Sequence, residues 1–297
     1  MTSRTKAELL LFGTTFIWGS TFVVVKAGME FISPSLFVAL RFGIGALLFV
    51  IILRNQFKSI KRAAIKKGII LGVMLGTGIV LQNYGIYETT ASKAAFITGL
   101  MVIFTPVAQL LLVRRAPKAG NIVGVAVVIA GLFLLTSPTG SGINFGDGLV
   151  LVSAAIFGVY IVYLDMYTRD ENVLHLAFIQ VTVTSLTACV TIPFEKIVLI
   201  PNNQLLISLF YMGIFATVLT TYVQTRYQKD TTPTRAVIIF TIEPVITAVL
   251  AYYVLNEILG FVGIIGAITI VIGIFISELS DPISKKIDVI TNGFSNK

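Results

Sequence analysis

Two charged side chains stand deep within long apolar runs of this sequence, where they could bind a charged solute. Arg41 follows Pro34, the first residue of its run, by seven positions, and Glu243 follows Arg235 by eight. At ~1.5 Å of rise per helical residue, the two charges lie about 10 Å and about 12 Å from the nearer helix end. Charges at such depth in lipid usually face a cavity or a partner. Arg41 could receive a substrate carboxylate and Glu243 a cation or a proton. Alternatively, they form an ion pair or are satisfied by neighbouring helices, and only fix the bundle.

Other polar and aromatic side chains within the apolar runs suit a small amphipathic ligand, which they could bind by stacking and hydrogen bonding. The segment LQNYGIYE carries Gln82 and Asn83, and the segment TTYVQTRYQ carries Tyr222. Trp18 and Tyr160 stand within two further runs. The alternative role of each tyrosine is packing, or anchoring at the membrane interface.

The sequence lacks the residues that intramembrane catalysis requires. It contains one histidine, His175, and one cysteine, Cys189. An H-E-x-x-H zinc motif, an internal disulfide and a cysteine metal cluster are therefore excluded. It also contains no P-loop for ATP hydrolysis. We predict no catalytic residue, no metal site and no cofactor, so transport would have to run on a gradient.

The composition indicates which elements must position these residues. The chain of 297 residues is 56% hydrophobic and 12% charged, with a mean hydropathy of +0.93, whereas soluble domains carry about 25% charged residues. Apolar runs of about 20 residues, the length that crosses a bilayer, recur from end to end. The predicted fold class is an all-α membrane protein with ten transmembrane helices. They are predicted at residues 8–27, 34–53, 67–87, 94–113, 120–137, 147–166, 173–192, 204–225, 235–255 and 258–277.

The 22 Lys and Arg residues indicate the orientation in the membrane. If the N-terminus is cytoplasmic, all of them except Lys26, Arg41, Lys93 and Lys196 fall in inner segments, which is a strong positive-inside pattern. Both termini are therefore predicted to be cytoplasmic. The net charge of +8 follows from this topology, so nucleic acid is not an expected partner. Membrane lipids are, because the basic segment 58–67 would meet anionic headgroups.

Four features recur in the same order in the two halves of the chain. TTASKAA, which begins at Thr89, returns as TTPTRAV, which begins at Thr231, and GVAVVIAG returns at the same offset as GAITIVIG. FIWGSTFVVVK returns as AIFGVYIVYLD at an offset of 139, and Pro106 corresponds to Pro244 at 138. The sequence therefore predicts two five-helix repeats, residues 1–140 and 141–280, and a polar cytoplasmic tail, residues 281–297. Because five is odd, the second repeat would enter the membrane inverted relative to the first.

Inverted repeats are a recurrent plan of secondary transporters, whose substrate site lies near the bilayer midplane; a duplication can also simply build a stable bundle. Pro106 and Pro244 are predicted to interrupt the fourth and ninth helices, as hinges for alternating access or as static kinks. Lys93 and Arg235 begin the same two helices, where a cation opposes the helix macrodipole. They could extend to the headgroups, or bind the anionic end of a substrate at the entrance.

Three glycines in the third predicted helix permit close contact with another helix. Gly68, Gly72 and Gly76 form the pattern G-x-x-x-G-x-x-x-G, in which backbones approach each other closely. In a chain of ten helices this pattern predicts internal packing more than a dimer face. The expected oligomeric state is a monomer, with a dimer left open.

The chain resembles the EamA-type ten-helix permeases of the drug/metabolite transporter superfamily in four stretches: WGSTFVVVK, RFGIGALLF, ASKAAFITGLMVIFTPV and TPTRAVIIFTIEPV. The resemblance covers about residues 8–278. It implies that residues 1–140 and 141–280 are two EamA-like repeats, and that the protein is an inner-membrane permease or exporter of amino acids, other metabolites or drugs. It also implies a central cavity lined mainly by helices 1, 3, 4, 6, 8 and 9. Its candidate lining residues here are Trp18, Gln82, Asn83, Thr98, Tyr160, Tyr222 and Glu243.

We therefore expect a secondary transporter that moves a small-molecule substrate by alternating access. A flippase for a lipid or a lipid-linked sugar would have the same architecture, and a membrane scaffold without transport activity is a third hypothesis. The expected substrate-binding residues are the seven above together with Arg41.

Overall fold

The computed structural model describes residues 2–114, 116, 119–135, 144–258 and 260–276. Over these residues the regular structure is helical, apart from one antiparallel bridge between Ile32 and Leu199. Eight helices are long and apolar enough to cross a membrane, and two shorter apolar helices bring the number to ten. The helices are α1 (Ser3–Gly28), α2 (Pro34–Leu53), α3 (Arg62–Glu88), α4 (Ala91–Gly99 and Met101–Val113), α5 (Ala119–Leu135), α6 (Phe145–Tyr167), α7 (Val173–Thr191), α8 (Asn203–Gly213, Ile214–Leu219 and Thr220–Tyr227), α9 (Pro233–Phe240 and Glu243–Leu255) and α10 (Phe261–Ile276).

The predicted all-α membrane fold with ten helices is confirmed. Helices that are apolar on most faces are typical of chains that contact lipid outside and other helices inside. The inversion of the repeats, their boundaries and the side on which the termini lie stay predictions. The tail 281–297 lies outside the described residues.

Helix starts are set by polar caps, which satisfy backbone N–H groups that have no partner within the helix. Thr90 accepts a hydrogen bond from the N–H of Lys93, and Thr232 accepts one from the N–H of Arg235. At α6, Asn144 and Asp147 form a reciprocal capping box. The same threonine cap therefore begins α4 and α9, at corresponding positions of the two repeated phrases.

Both α4 and α9 are interrupted, but not where the prolines alone would interrupt them. The first half of α4 ends before Leu100, six residues ahead of Pro106, and Pro106 lies inside the second half. In α9 the interruption is at Thr241 and Ile242, and Pro244 occupies the first turn of the second half. A proline in a first turn costs no hydrogen bond, since that N–H has no helical partner.

The two interruptions correspond at the offset of the polar caps. Leu100 stands ten positions after Thr90, and Ile242 stands ten positions after Thr232. Each donates an i→i−3 hydrogen bond: the N–H of Leu100 bonds to Ile97 O and the N–H of Ile242 to Ile239 O. Each second half also ends in a left-handed residue, Arg114 or Asn256, both with φ of 55°. The pairing of Pro106 with Pro244 at an offset of 138 therefore does not describe the structure. The hinge roles predicted for the two prolines stay predictions.

The glycine pattern of α3 packs against α7, as the sequence predicts. A Cβ atom added to Gly68 would lie 2.7 Å from Ile179, one added to Gly72 2.5 Å from Val183, and one added to Gly76 2.8 Å from Thr187. Only glycine allows the two backbones to approach this closely. The contact therefore packs α3 closely against α7.

Candidate functional site

A cavity of about 90 Å³ lies at the centre of the described helices. This volume is several times what one water molecule needs, so the cavity has room for a small solute or several waters. Its wall combines aromatic and aliphatic side chains with a few polar ones, the usual composition of a small-molecule site. The residues that line it are Trp18, Thr21, Arg41, Phe42, Leu75, Ile79, Gln82, Thr98, Met101, Phe157, Tyr160, Ile161, Ala216, Thr221, Gln224, Phe240 and Glu243.

Arg41 is a cavity residue that α8 holds in place. The side chain is 4% exposed. Its Nε donates to Thr217 Oγ1 and its Nη2 donates to Ala216 O, each at 2.9 Å. Both acceptors belong to the segment Ile214–Leu219, which is a π-helix. Such segments are rare and frequently occur at functional sites. Among the residues that the structure describes, Arg41 has no carboxylate partner.

Glu243 is the second buried charge of the cavity, and it is 7% exposed. It occupies the first turn of the second half of α9, where the positive end of the helix dipole favours an anion. Within the described part of the chain, no cation lies within ion-pair distance of Glu243, so the ion pair with Arg41 considered above is not formed. The cavity thus contains a guanidinium group and a carboxyl group, neither of which has an ion-pair partner among the described residues.

Hydrogen bonds between helices orient the polar atoms around these charges. Trp18 Nε1 donates to Thr220 Oγ1 at 3.1 Å, and the Trp18 ring meets Phe240 edge-on. Gln82 Nε2 donates to Thr98 Oγ1 at 3.0 Å. These bonds connect α1 with α8 and α3 with α4, so the cavity wall is fixed by both halves of the chain.

Tyr160, which lines the cavity, belongs to a second group of hydrogen bonds. Its hydroxyl donates to Gln180 Oε1, and Gln180 Nε2 donates to Thr225 Oγ1, both at 2.9 Å. The cavity residue Gln224 bonds to Gln228 at 3.0 Å. Tyr160, Gln180 and Thr225 therefore form one chain of hydrogen bonds that joins α6, α7 and α8.

Six of the eight predicted substrate-binding residues line this cavity: Trp18, Arg41, Gln82, Thr98, Tyr160 and Glu243. Asn83 and Tyr222 do not line it. Neighbouring helical positions point about 100° apart, so Asn83 cannot share the direction of Gln82. It is 1% exposed, and its Nδ2 has no hydrogen-bond partner among the described residues. Tyr222 is 36% exposed.

Several residues that line the cavity were not predicted from the sequence, for different reasons. Thr221 is adjacent to Tyr222, and its place on the inner face of α8 follows only from the packing of that helix. Phe42, Phe157 and Phe240 are indistinguishable in sequence from other phenylalanines of the membrane-spanning helices. A membrane protein of this composition offers no contrast by which an apolar cavity wall could be recognised.

Lys93 and Arg235, the predicted entrance residues, are each paired with a carboxylate instead of being extended to headgroups. Lys93 Nζ lies 2.6 Å from Asp147 Oδ2, and Arg235 Nη1 lies 3.0 Å from Glu8 Oε1. Asp147 lies in the first turn of α6 and Glu8 in the first turns of α1. Neither Lys93 nor Arg235 lines the cavity.

Comparison with known proteins identifies the family. The family model described as the EamA-like transporter family matches residues 5–137 and again residues 144–279. An uncharacterized transporter of Archaeoglobus fulgidus is 30% identical over 93% of this chain and 87% of its own length. The uncharacterized transporter YoaV of Bacillus subtilis is 26% identical over 93% of this chain and 97% of its own length.

A further relative and a solved structure agree with this assignment. The uncharacterized inner membrane transporter YedA of Escherichia coli is 24% identical over 83% of each chain. A crystal structure with 19% identity has the same fold, with a TM-score of 0.75 over 93% of this chain and 97% of that one. A family of transporters is a non-enzymatic class, in agreement with the absence of catalytic residues predicted from the sequence. The chain is a multi-pass membrane transporter that belongs to the EamA-like transporter family.

Proposed function

We propose that this protein is a secondary transporter of the inner membrane that moves amino acids, or similar small metabolites that carry both charges, by alternating access. The observation that carries the proposal is the central cavity, in which Arg41 and Glu243 are both buried and neither has a counter-ion among the described residues. Buried charges in a membrane protein require partners. A ligand with a carboxylate and an ammonium group supplies both partners, and the apolar wall accommodates its side chain. The name of the Escherichia coli relative supports the inner membrane as the location.

Reciprocal packing supports two repeats with inverted orientation. Each helix of the first half corresponds to the helix five places later in the second half. Under this correspondence the contact of α3 with α7 matches the contact of α8 with α2. The contact of α1 with α9 likewise matches the contact of α6 with α4. Gly19 of α1 meets the second half of α9, and Gly158 of α6 meets the second half of α4. The two separate matches to the family model support the same division. A rocking motion between two such repeats, with the cavity at their boundary, is the mechanism that we propose.

The test is counterflow in proteoliposomes, with a mixed pool of amino acids and other metabolites read by mass spectrometry. We expect saturable exchange of a few zwitterionic compounds by the natural protein. Glu243→Gln keeps the size of the side chain and removes its charge, and we expect it to alter the flux or the dependence of the flux on pH. Tyr222→Phe, at a position that does not line the cavity, is the matched control and should transport normally.

Two outcomes would contradict parts of this proposal. If Glu243→Gln transported like the natural protein at every pH, Glu243 would have no part in transport. If no soluble compound exchanged at all, the small-molecule proposal would fail. The same vesicles would then be assayed for flipping of labelled lipids and lipid-linked sugars, the substrates of the alternative function.

A further inference from the structure

The repeated phrases TTASK and TTPTR build the same cluster of contacts at two separate places in the molecule. In the first cluster Thr89 Oγ1 donates to Asp147 Oδ1 at 3.0 Å, and Lys93 is paired with the other oxygen of the same carboxylate. Thr90 caps α4. We call this cluster, formed by Thr89, Thr90, Lys93 and Asp147, the α4–α6 latch.

The second cluster repeats each of these contacts. Thr231 Oγ1 donates to Glu8 Oε1 at 3.1 Å, Arg235 is paired with the same carboxylate, and Thr232 caps α9. We call this cluster, formed by Glu8, Thr231, Thr232 and Arg235, the α9–α1 latch. The threonines and the cations recur at the offset of the repeated phrases, and Asp147 follows Glu8 at 139, the offset of the α1 and α6 phrases. Three kinds of contact that recur together at the offsets of the duplication are a feature of the repeat, not an accident of one helix end.

The two latches lie at opposite faces of the membrane if each helix crosses it. Five helices separate the start of α1 from the start of α6, so Glu8 and Asp147 begin their helices on opposite sides. Each latch joins the first turn of an interrupted helix, α4 or α9, to the first turns of the helix that packs against it. The first half of each interrupted helix carries a cavity residue. Thr98 lies in the last turn of the first half of α4, and Phe240 is the last residue of the first half of α9. A cluster that holds such a half-helix in place therefore also holds part of the cavity wall in place.

The carboxylates of Asp147 and Glu8 are mostly buried, and each has a further polar partner besides the cation and the threonine of its latch. The side chain of Asp147 is 5% exposed and that of Glu8 is 15% exposed. Asp147 also accepts the backbone N–H of Asn144 at 2.8 Å, and Glu8 also pairs with Arg4 at 2.8 Å. Removing one partner from such a cluster leaves the remaining groups with an incomplete set of contacts in a largely dehydrated site.

We propose that Glu8 and Asp147 are the counter-ions of two reciprocal gates: the α9–α1 latch closes the cavity toward the face where α1 begins, and the α4–α6 latch closes it toward the opposite face. The inference rests on the proposed function, because a cavity that opens alternately needs one closure at each face. Both latches are formed in this structure. Opening toward one face requires one ion pair to separate while the other stays intact.

The experiment measures from which side the cavity can be reached. The parent protein carries Cys189→Ala, which removes its own cysteine, and Thr21→Cys, which places a single cysteine in the cavity. This cysteine is labelled with a membrane-impermeant maleimide. Labelling in cells reports access from one face, and labelling in inverted vesicles reports access from the other. Asp147→Asn and Glu8→Gln keep the shape of each side chain and remove its charge. We expect Asp147→Asn to raise the labelling rate from its own face roughly tenfold, the ratio that corresponds to about 1.4 kcal/mol. Glu8→Gln should do the same from the opposite face.

Controls distinguish a gate from a purely structural contact. Lys93→Gln and Arg235→Gln break the same two ion pairs by removing the cation instead of the carboxylate. They should reproduce the two one-sided effects on labelling. They also replace a carboxylate variant that fails to fold. Lys93→Arg and Arg235→Lys keep the charges and should label like the parent. Equal changes from both faces, or a loss of thermal stability with unchanged labelling, would overturn the proposal. The labelling needs no substrate, so its result stands whether or not counterflow detects transport.

Discussion

Arg41→Met is the substitution for which the geometry predicts the largest specific effect on substrate binding. Methionine fills a similar volume and removes the guanidinium group. Two of the three guanidinium nitrogens, Nε and Nη2, are occupied by Thr217 and Ala216, and Nη1 has no hydrogen bond among the described residues. A hydrogen bond from this charged group to a substrate carboxylate contributes about 1.5–3 kcal/mol. At about 1.4 kcal/mol per factor of ten, its loss should raise the half-saturating concentration about 10- to 100-fold.

The assay is counterflow at a series of substrate concentrations, with the amount of protein in the vesicles measured in parallel. The fold should survive, because Ala216 O also accepts the hydroxyl of Thr220 at 2.9 Å and therefore keeps a donor. Thr217→Val is the control: it removes one of the two contacts that hold Arg41 but leaves the charge, so it should have a smaller effect. A normal half-saturating concentration in Arg41→Met would refute the assignment of Arg41 to the substrate carboxylate.

Two further substitutions test how the helices are held. Gly72→Ala places a methyl group 2.5 Å from Val183 Cβ and should lower the free energy of unfolding by about 1–3 kcal/mol through overpacking. The measurement is the melting temperature in detergent, which should fall. Gly148→Ala is the control: no atom lies within 4 Å of the added methyl group, so this variant should melt no lower than the parent. Glu257→Gln removes the charge that accepts the first N–H groups of α4 and should cost about 1 kcal/mol. The exposed Glu30→Gln is its control, and equal melting temperatures for the Glu257 and Glu30 variants would refute this capping role.

The parts of the site that could be predicted are those whose residue type is unusual for their surroundings. A charge within an apolar run is conspicuous, and both Arg41 and Glu243 line the cavity. Glu8 and Asp147 were not singled out, because a carboxylate near the end of a membrane helix is ordinary in sequence. Only the fold brings each of them beside the cation of another helix.

Helix existence could be predicted better than helix shape. Apolar runs gave ten helices whose ends agree with the structure to within five residues, since the bilayer sets their length. The interruption at Leu100 has no proline beside it, and the π-helix Ile214–Leu219 contains neither glycine nor proline. These irregularities depend on tertiary contacts, such as the bonds from Arg41, which a local sequence pattern does not contain.

Neither charged residue of the cavity recurs at the corresponding position of the other predicted repeat. The position that corresponds to Arg41 at an offset of 139 is Gln180, and the position that corresponds to Glu243 at the offset of the repeated threonine phrases is Met101. If the two halves are inverted repeats, as proposed, a nearly symmetrical scaffold encloses a polar axis of fixed direction. In the proposed transporter a zwitterion would lie along this axis in one orientation only, whichever face it came from. It would leave carboxylate first toward one side and ammonium first toward the other, so import and export would have different release rates even at equal concentrations.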